Sequence, residues 1–202
     1  MNKQRWSWLM ESMGLTASFD CYDSLVTAYS EKHRYYHTSK HINAMLNHFD
    51  KVKHVSKKPD ELELAIWFHD AIYQPFSKTN ELDSANWAKN FLITSGIDSQ
   101  ISELVHSLVM ATDHSSDVTT NDEKLIVDID LTILGAGANV YDQFEHNVRK
   151  EYKLVPSFVF NKKRKEILVS FLQQDSIYRL DYFKDKFEAT ARKNLERTIS
   201  RL

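Results

Sequence analysis

The sequence is short of everything that punctuates or cross-links a chain. One cysteine, Cys21, stands in 202 residues, so no internal disulfide can form and nothing calls for an oxidising compartment. Four glycines and three prolines leave few sites for elaborate loops and free most residues for helices, where both are costly. No apolar run approaches the roughly 20 residues that span a bilayer, and the opening Met1-Asn2-Lys3-Gln4-Arg5-Trp6 leads into no apolar stretch of signal-peptide length. A net charge of -2 supplies no field that would draw nucleic acid or a membrane surface. The expectation is a cytoplasmic protein, with neither nucleic acid nor membrane as a partner.

What remains is helical. Apolar residues recur at three- and four-residue spacing: Tyr22, Leu25, Val26 and Tyr29 form one stripe, and Ile42, Met45, Leu46, Phe49 and Val52 another. Pro59 suits a first helical position, followed by Leu62, Ala65, Ile66 and Ile72. The pattern predicts further helices at about 80–95, 98–113, 121–134, 138–154, 157–174 and 177–200. Gly96 can end one helix, Asp98 can cap the next, and Gly135 can close the helix that begins after Asn121. No strand alternation, repeat or linker interrupts them. The expected fold is all-α, one helical domain over 1–202, with a motif-bearing core at about 30–155 and C-terminal helices at 157–200 packed on it. The basic run Lys162-Lys163-Arg164-Lys165 reads as a solvated helix face.

Nine histidines are many for this length. His33, His37 and His41 lie four apart and on a helix would form one stripe, with Arg34 beside His37. His69-Asp70 follows a strongly apolar segment, Leu62 to Phe68, and a carboxylate so surrounded needs a cation or a metal. Asp128 and Asp130 interrupt the apolar run Leu125 to Leu134. Two apart, they face opposite sides of a helix. Asp130, among Ile126, Val127, Ile133 and Leu134, is the ligand candidate, whereas Asp128 can be satisfied by Lys124 or solvent and reads as structural. Imidazoles and carboxylates together suit a divalent transition metal such as Mn, Fe, Co, Ni or Zn, not an all-oxygen Ca site.

The order His37, then His69-Asp70, then Asp130 resembles the H…HD…D signature of the HD superfamily. The stretches Arg34-Tyr35-Tyr36-His37-Thr38-Ser39-Lys40-His41-Ile42, Trp67 to Pro75, Asn80-Glu81-Leu82-Asp83-Ser84-Ala85 and Asp128 to Gly135 are similar to those of a bacterial subgroup described as predicted metal-dependent HD phosphohydrolases. The resemblance implies a helical bundle with a central metal held by His37, His69, Asp70 and Asp130. It implies that Arg34 and His41 line the phosphate side, and that Glu81 is the candidate general base or water-positioning group. His114, and more weakly His106, would supply a second-metal or phosphate contact. The implied activity is hydrolysis of a phosphate ester or anhydride of a small metabolite, a nucleotide among the candidates, by attack of a metal-activated water. A di-iron HD-type oxygenase and a non-catalytic nucleotide-binding module are the alternatives. Substrate, native metal and oligomeric state, a homodimer included, are left open.

Overall fold

The computed structural model describes residues 1–114 and 117–202. Among the described residues the chain is helical with no strand. It divides into two compact units, Met1–Val127 and Asp128–Leu202.

The first unit is built around a helix that is buried on every side. Its elements are α1 (Lys3–Ser12), α2 (Phe19–Ala28), α3 (Ser39–Val52), α4 (Pro59–Phe68), α5 (Asn80–Thr94) and α6 (Ser99–Met110), followed by most of α7 (Asn121–Asp130). Every residue of α4 from Leu62 to Phe68 is buried, which explains why its sequence lacks a polar stripe. Pro59 occupies its first turn. Trp6 of α1 meets Trp67 edge-on, with ring centroids 5.4 Å apart, and also faces Tyr22 and Phe68. The one acid in the buried stretch Leu62 to Phe68, Glu63, accepts from the Arg5 guanidinium at 2.7 and 3.0 Å. Burying it unpaired would be prohibitive.

Caps set most of the boundaries. Asn2, Ser18, Thr38 and Asp98 each accept a backbone N–H in the first turn that follows them. Gly96, at φ +82°, closes α5 in the left-handed region that glycine adopts most cheaply. The expected helices at about 80–95 and 98–113 appear as α5, then α6 with a 3₁₀ turn at Ala111–Asp113. Thr38 changes one expectation. As the cap of α3 it leaves His33 and His37 ahead of the helix, so the three histidines do not form a helical stripe. No helix among the described residues is long and apolar enough to cross a membrane.

The second unit holds the 3₁₀ segment Leu131–Gly135, α8 (Ala138–Glu151), α9 (Ser157–Leu172) and α10 (Asp181–Phe183). From α10 the chain passes through a π turn at Lys184–Glu188 into α11 (Ala189–Ile199). Tyr178 donates its hydroxyl to the Leu131 carbonyl at 2.9 Å, and the Asn194 amide donates to the carbonyls of Leu134 and Ala136. Asp128 is fully buried and accepts the backbone N–H of Arg179 and of Leu180, the latter at 2.7 Å. Neither Lys124 nor solvent satisfies it, contrary to the sequence expectation. Two main-chain amides 51 and 52 residues away do. Gly135 lies so close to Phe187 that a Cβ there would meet that residue's Cβ at 2.6 Å and its carbonyl oxygen at 2.8 Å.

Two outcomes follow. Gly135→Ala should destabilise the protein by about 1–3 kcal/mol in urea unfolding, because backbone rather than a flexible side-chain end must move. Burial pushes the Asp128 carboxyl up to about 6, outweighing the amides of Leu180 and Arg179. Its folded pKa exceeds the unfolded one, so its contribution to stability is fully present below pH 4 and is lost as pH rises through about 6. The stability advantage of wild type over Asp128→Asn should therefore shrink by roughly 1–3 kcal/mol between pH 4 and pH 7.5; an advantage that grows over that range would contradict it.

Candidate metal centre

α4 stops at Phe68, and the chain turns at once: His69 is its C-cap and Asp70 lies in the turn beyond. The last carbonyls of a helix lack intrahelical donors and carry the negative end of its dipole. That end therefore favours cations, and here one lies beside it. The buried Arg34 guanidinium donates to the carbonyls of Asp70 and Ala71 at 2.6 and 2.9 Å and to that of His37 at 3.2 Å, while its Nε donates to Glu31.

Three side chains converge beside this turn. His41 Nε2 and His69 Nε2 are 3.2 Å apart. Asp70 Oδ2 lies 3.0 Å from His69 Nε2 and 3.6 Å from His41 Nε2. Their side chains are 4, 2 and 15% exposed, so solvent screens them little. Helix α7 runs unbroken from Asn121 to Asp130, so its i to i−4 hydrogen bonds carry Asp130 on the same rod as Leu125, Ile126 and Val127. Asp130, the remaining ligand candidate, belongs to the second unit.

The donor set fits a cation. His69 Nδ1 stands 3.0 Å from the Ile66 carbonyl, which can only accept, so this nitrogen carries the proton. His69 Nε2 then faces His41 Nε2 and Asp70 Oδ2, either donating to the carboxylate as an imidazolium or, in the neutral ring, turning a lone pair toward a cation. Two acceptors 3.0 Å apart repel unless a positive charge lies among them. Nitrogens and oxygens about 2.1 Å from a common ion, at angles of roughly 90–110°, are about 3.0–3.4 Å apart; the His69 pairs, at 3.0 and 3.2 Å, fall in that range, and the His41–Asp70 pair, at 3.6 Å, lies just outside it. Burial alone would raise the Asp70 carboxyl. His69, His37 and His41 outweigh it and hold the group well below the usual carboxylate range.

The other sequence candidates divide. His37 stacks on Tyr73 with centroids 4.1 Å apart and meets Tyr36 edge-on, and its charge acts on Asp70; the His41 ring, expected on the phosphate side, lies 3.2 Å from His69 Nε2 and 3.6 Å from Asp70 Oδ2. Arg34, expected on the phosphate side, has a fully enclosed side chain and spends its donors on main-chain carbonyls. Glu81, at the start of α5, is half-buried; burial raises its pKa, and its charged neighbours are Asp70, Asp113 and His114. His114 takes a left-handed conformation, φ 57°, just past the 3₁₀ turn that follows α6. His106 belongs elsewhere on α6, with Lys89 and Glu103 as its charged neighbours.

Residues that sequence reasoning passed over hold the turn together. Gln74 N–H donates to Asn80 Oδ1 at 2.9 Å and the Asn80 amide donates back to the Gln74 carbonyl at 3.0 Å. Buried Ser84 accepts from the Ile72 N–H and donates to the Ile72 carbonyl. The Asn and Ser of the Asn80-to-Ala85 stretch thus fix the seven residues between Tyr73 and Glu81. Their spacing was a visible signal; its meaning needed the turn.

An all-helical scaffold with a buried imidazole and carboxylate cluster at a helix C-terminus defines a candidate metal centre. Compared with known proteins, the chain matches no family model, no curated protein and no solved structure. The assignment therefore stands on the residues themselves.

Ser84→Ala would leave both polar groups of Ile72 without their side-chain partner. It should cost about 1–3 kcal/mol in chemical denaturation and accelerate hydrogen exchange at the Ile72 amide. Unchanged exchange there would show that Ser84 does not hold the turn.

Proposed function

We propose that the protein is a metal-dependent phosphohydrolase acting on a phosphate ester or anhydride of a small metabolite, nucleotides among the candidates. The observation that carries this reading is the convergence of His41 Nε2, His69 Nε2 and Asp70 Oδ2 within 3.0 to 3.6 Å at the end of α4. The resemblance of the motif order to the HD superfamily supports it.

His41, His69, Asp70 and Asp130 are the residues that would hold the ion, a divalent transition metal by their mixed nitrogen and oxygen chemistry. A metal so held supplies a water of lowered pKa and polarises a phosphoryl oxygen. The chain's own residues do the rest. Asp70 stays ionised across the physiological range and so offers negative charge to a cation at any working pH. Glu81 has a raised pKa, the direction that suits a group accepting a proton near neutrality, and it takes the general-base role. His37, stacked on Tyr73, presents an imidazole at the rim of the cluster and takes the phosphate-facing role, which a ring N–H can fill. His114, a charged neighbour of Glu81, is placed to hold that carboxylate or a phosphate oxygen.

The test begins with chelator-stripped protein reloaded separately with Mn, Co, Ni, Zn or Fe and screened against phosphate esters and nucleotides. Release of phosphate or pyrophosphate should require metal. In Asp70→Asn, turnover should fall by at least about 100-fold, with far-UV circular dichroism unchanged. Full activity in the stripped protein, or undiminished activity in Asp70→Asn, would overturn the reading.

A further inference from the structure

The candidate centre draws its groups from two places: the segment ahead of α3, which carries His37 and leads to His41, and the turn after α4, which carries His69 and Asp70. Both places lie at helix ends: His41 falls in the first turn of α3 with His37 ahead of it, and His69 and Asp70 follow α4. Residues Glu31 to Thr38 form turns, and α4 ends before His69. Something else must fix their relation, since a ligand displaced by a fraction of an ångström loses its ion.

One side chain spans both. Arg34 Nη1 donates to the His37 carbonyl and to the Asp70 carbonyl, and Nη2 donates to the Ala71 carbonyl. The guanidinium is planar, and its Nη1 and Nη2 hydrogens address neighbouring carbonyls from fixed directions. Its faces are occupied as well. It lies 5.2 Å from the Tyr29 ring centroid and 5.5 Å from that of Tyr73. Tyr73 in turn stacks on His37, and Tyr29 donates its hydroxyl to the Trp67 carbonyl inside α4. Arg34 is thus gripped by the helix on one side and presses on a ring that presses on His37. With its side chain enclosed, it touches no substrate.

We infer that Arg34 is the positioning residue of the metal centre: it sets metal affinity by locking the His37–His41 segment to the His69–Asp70 turn. The inference rests on the metal reading proposed above. The role depends on shape as well as charge. A lysine keeps one positive charge but presents a rotating point donor that cannot hold three carbonyls in one plane. An apolar residue such as methionine keeps much of the volume and supplies no donor.

The experiment titrates wild type, Arg34→Lys and Arg34→Met, stripped of metal, with Co(II) alone, and reads affinity calorimetrically and ligand geometry from the visible absorption of the bound ion. Wild type should bind one ion. Arg34→Met should bind it about 10- to 100-fold more weakly, with a shifted spectrum and an unchanged far-UV signal. Arg34→Lys should recover only part of the loss. Wild-type affinity and spectrum in Arg34→Met would overturn the inference. Should Arg34→Met fail to fold, Arg34→Lys decides: wild-type binding there refutes the role, and weakened binding in a folded protein upholds it. Absence of Co(II) binding by wild type would overturn the metal reading and this inference with it, a result distinct from binding that ignores residue 34.

Discussion

The first unit depends on how the C-terminus of a fully buried helix is satisfied. A helix packed on all sides is a strong organiser of a core, but it delivers its last carbonyls to a place that solvent cannot reach. Unmet, each would cost about 1–3 kcal/mol. In this protein the Tyr29 hydroxyl meets that of Trp67, and a guanidinium meets the carbonyls of Asp70 and Ala71 in the turn just beyond. The cationic side chain at this end answers the same field. Stability and the proposed chemistry share one cause: a concentrated negative potential at the end of α4, with imidazoles and a carboxylate placed where a cation relieves it.

Asp128 and Asp130 illustrate how one helix serves two purposes. Two residues apart, they point to different sides of α7. Asp128 is sealed against main-chain amides of Arg179 and Leu180; Asp130 is the acid proposed to hold a metal. Each environment is apolar in sequence, and the charge of Asp128 is answered by amides. Buried acids are seldom incidental.

Much of the helical fold was legible in the sequence. Scarce glycine and proline, three- and four-residue apolar spacing, and the caps at Asp98 and Gly96 gave helices close to those observed from Asn80 onward. The histidines before α3 were misplaced because the fourfold spacing of His33, His37 and His41 imitates a helix; Thr38-Ser39, a good capping pair, was the contrary signal. The roles of Arg34 and Asp128 were hidden for a different reason. The Asp70 and Ala71 carbonyls that Arg34 meets and the amides that Asp128 accepts are main-chain groups 36 or more residues away, and backbone groups leave no mark in a sequence. Nor does any composition shift announce the division at Asp128, which falls inside a continuous helix.

Gly135 against Phe187 has a bearing on sequence drift. Two stretches of main chain meet there with no room for a methyl group, and the stretch carrying Phe187 is the π turn at Lys184–Glu188, a form of helix that accommodates one extra residue per turn. The two features constrain one another. A divergent relative that lost the glycine would relieve the close approach by rewinding the opposing helix, most simply by deleting one residue from it. Substitution at one position and a gap about fifty residues later should therefore travel together, a paired signature by which distant relatives of this chain could be sorted.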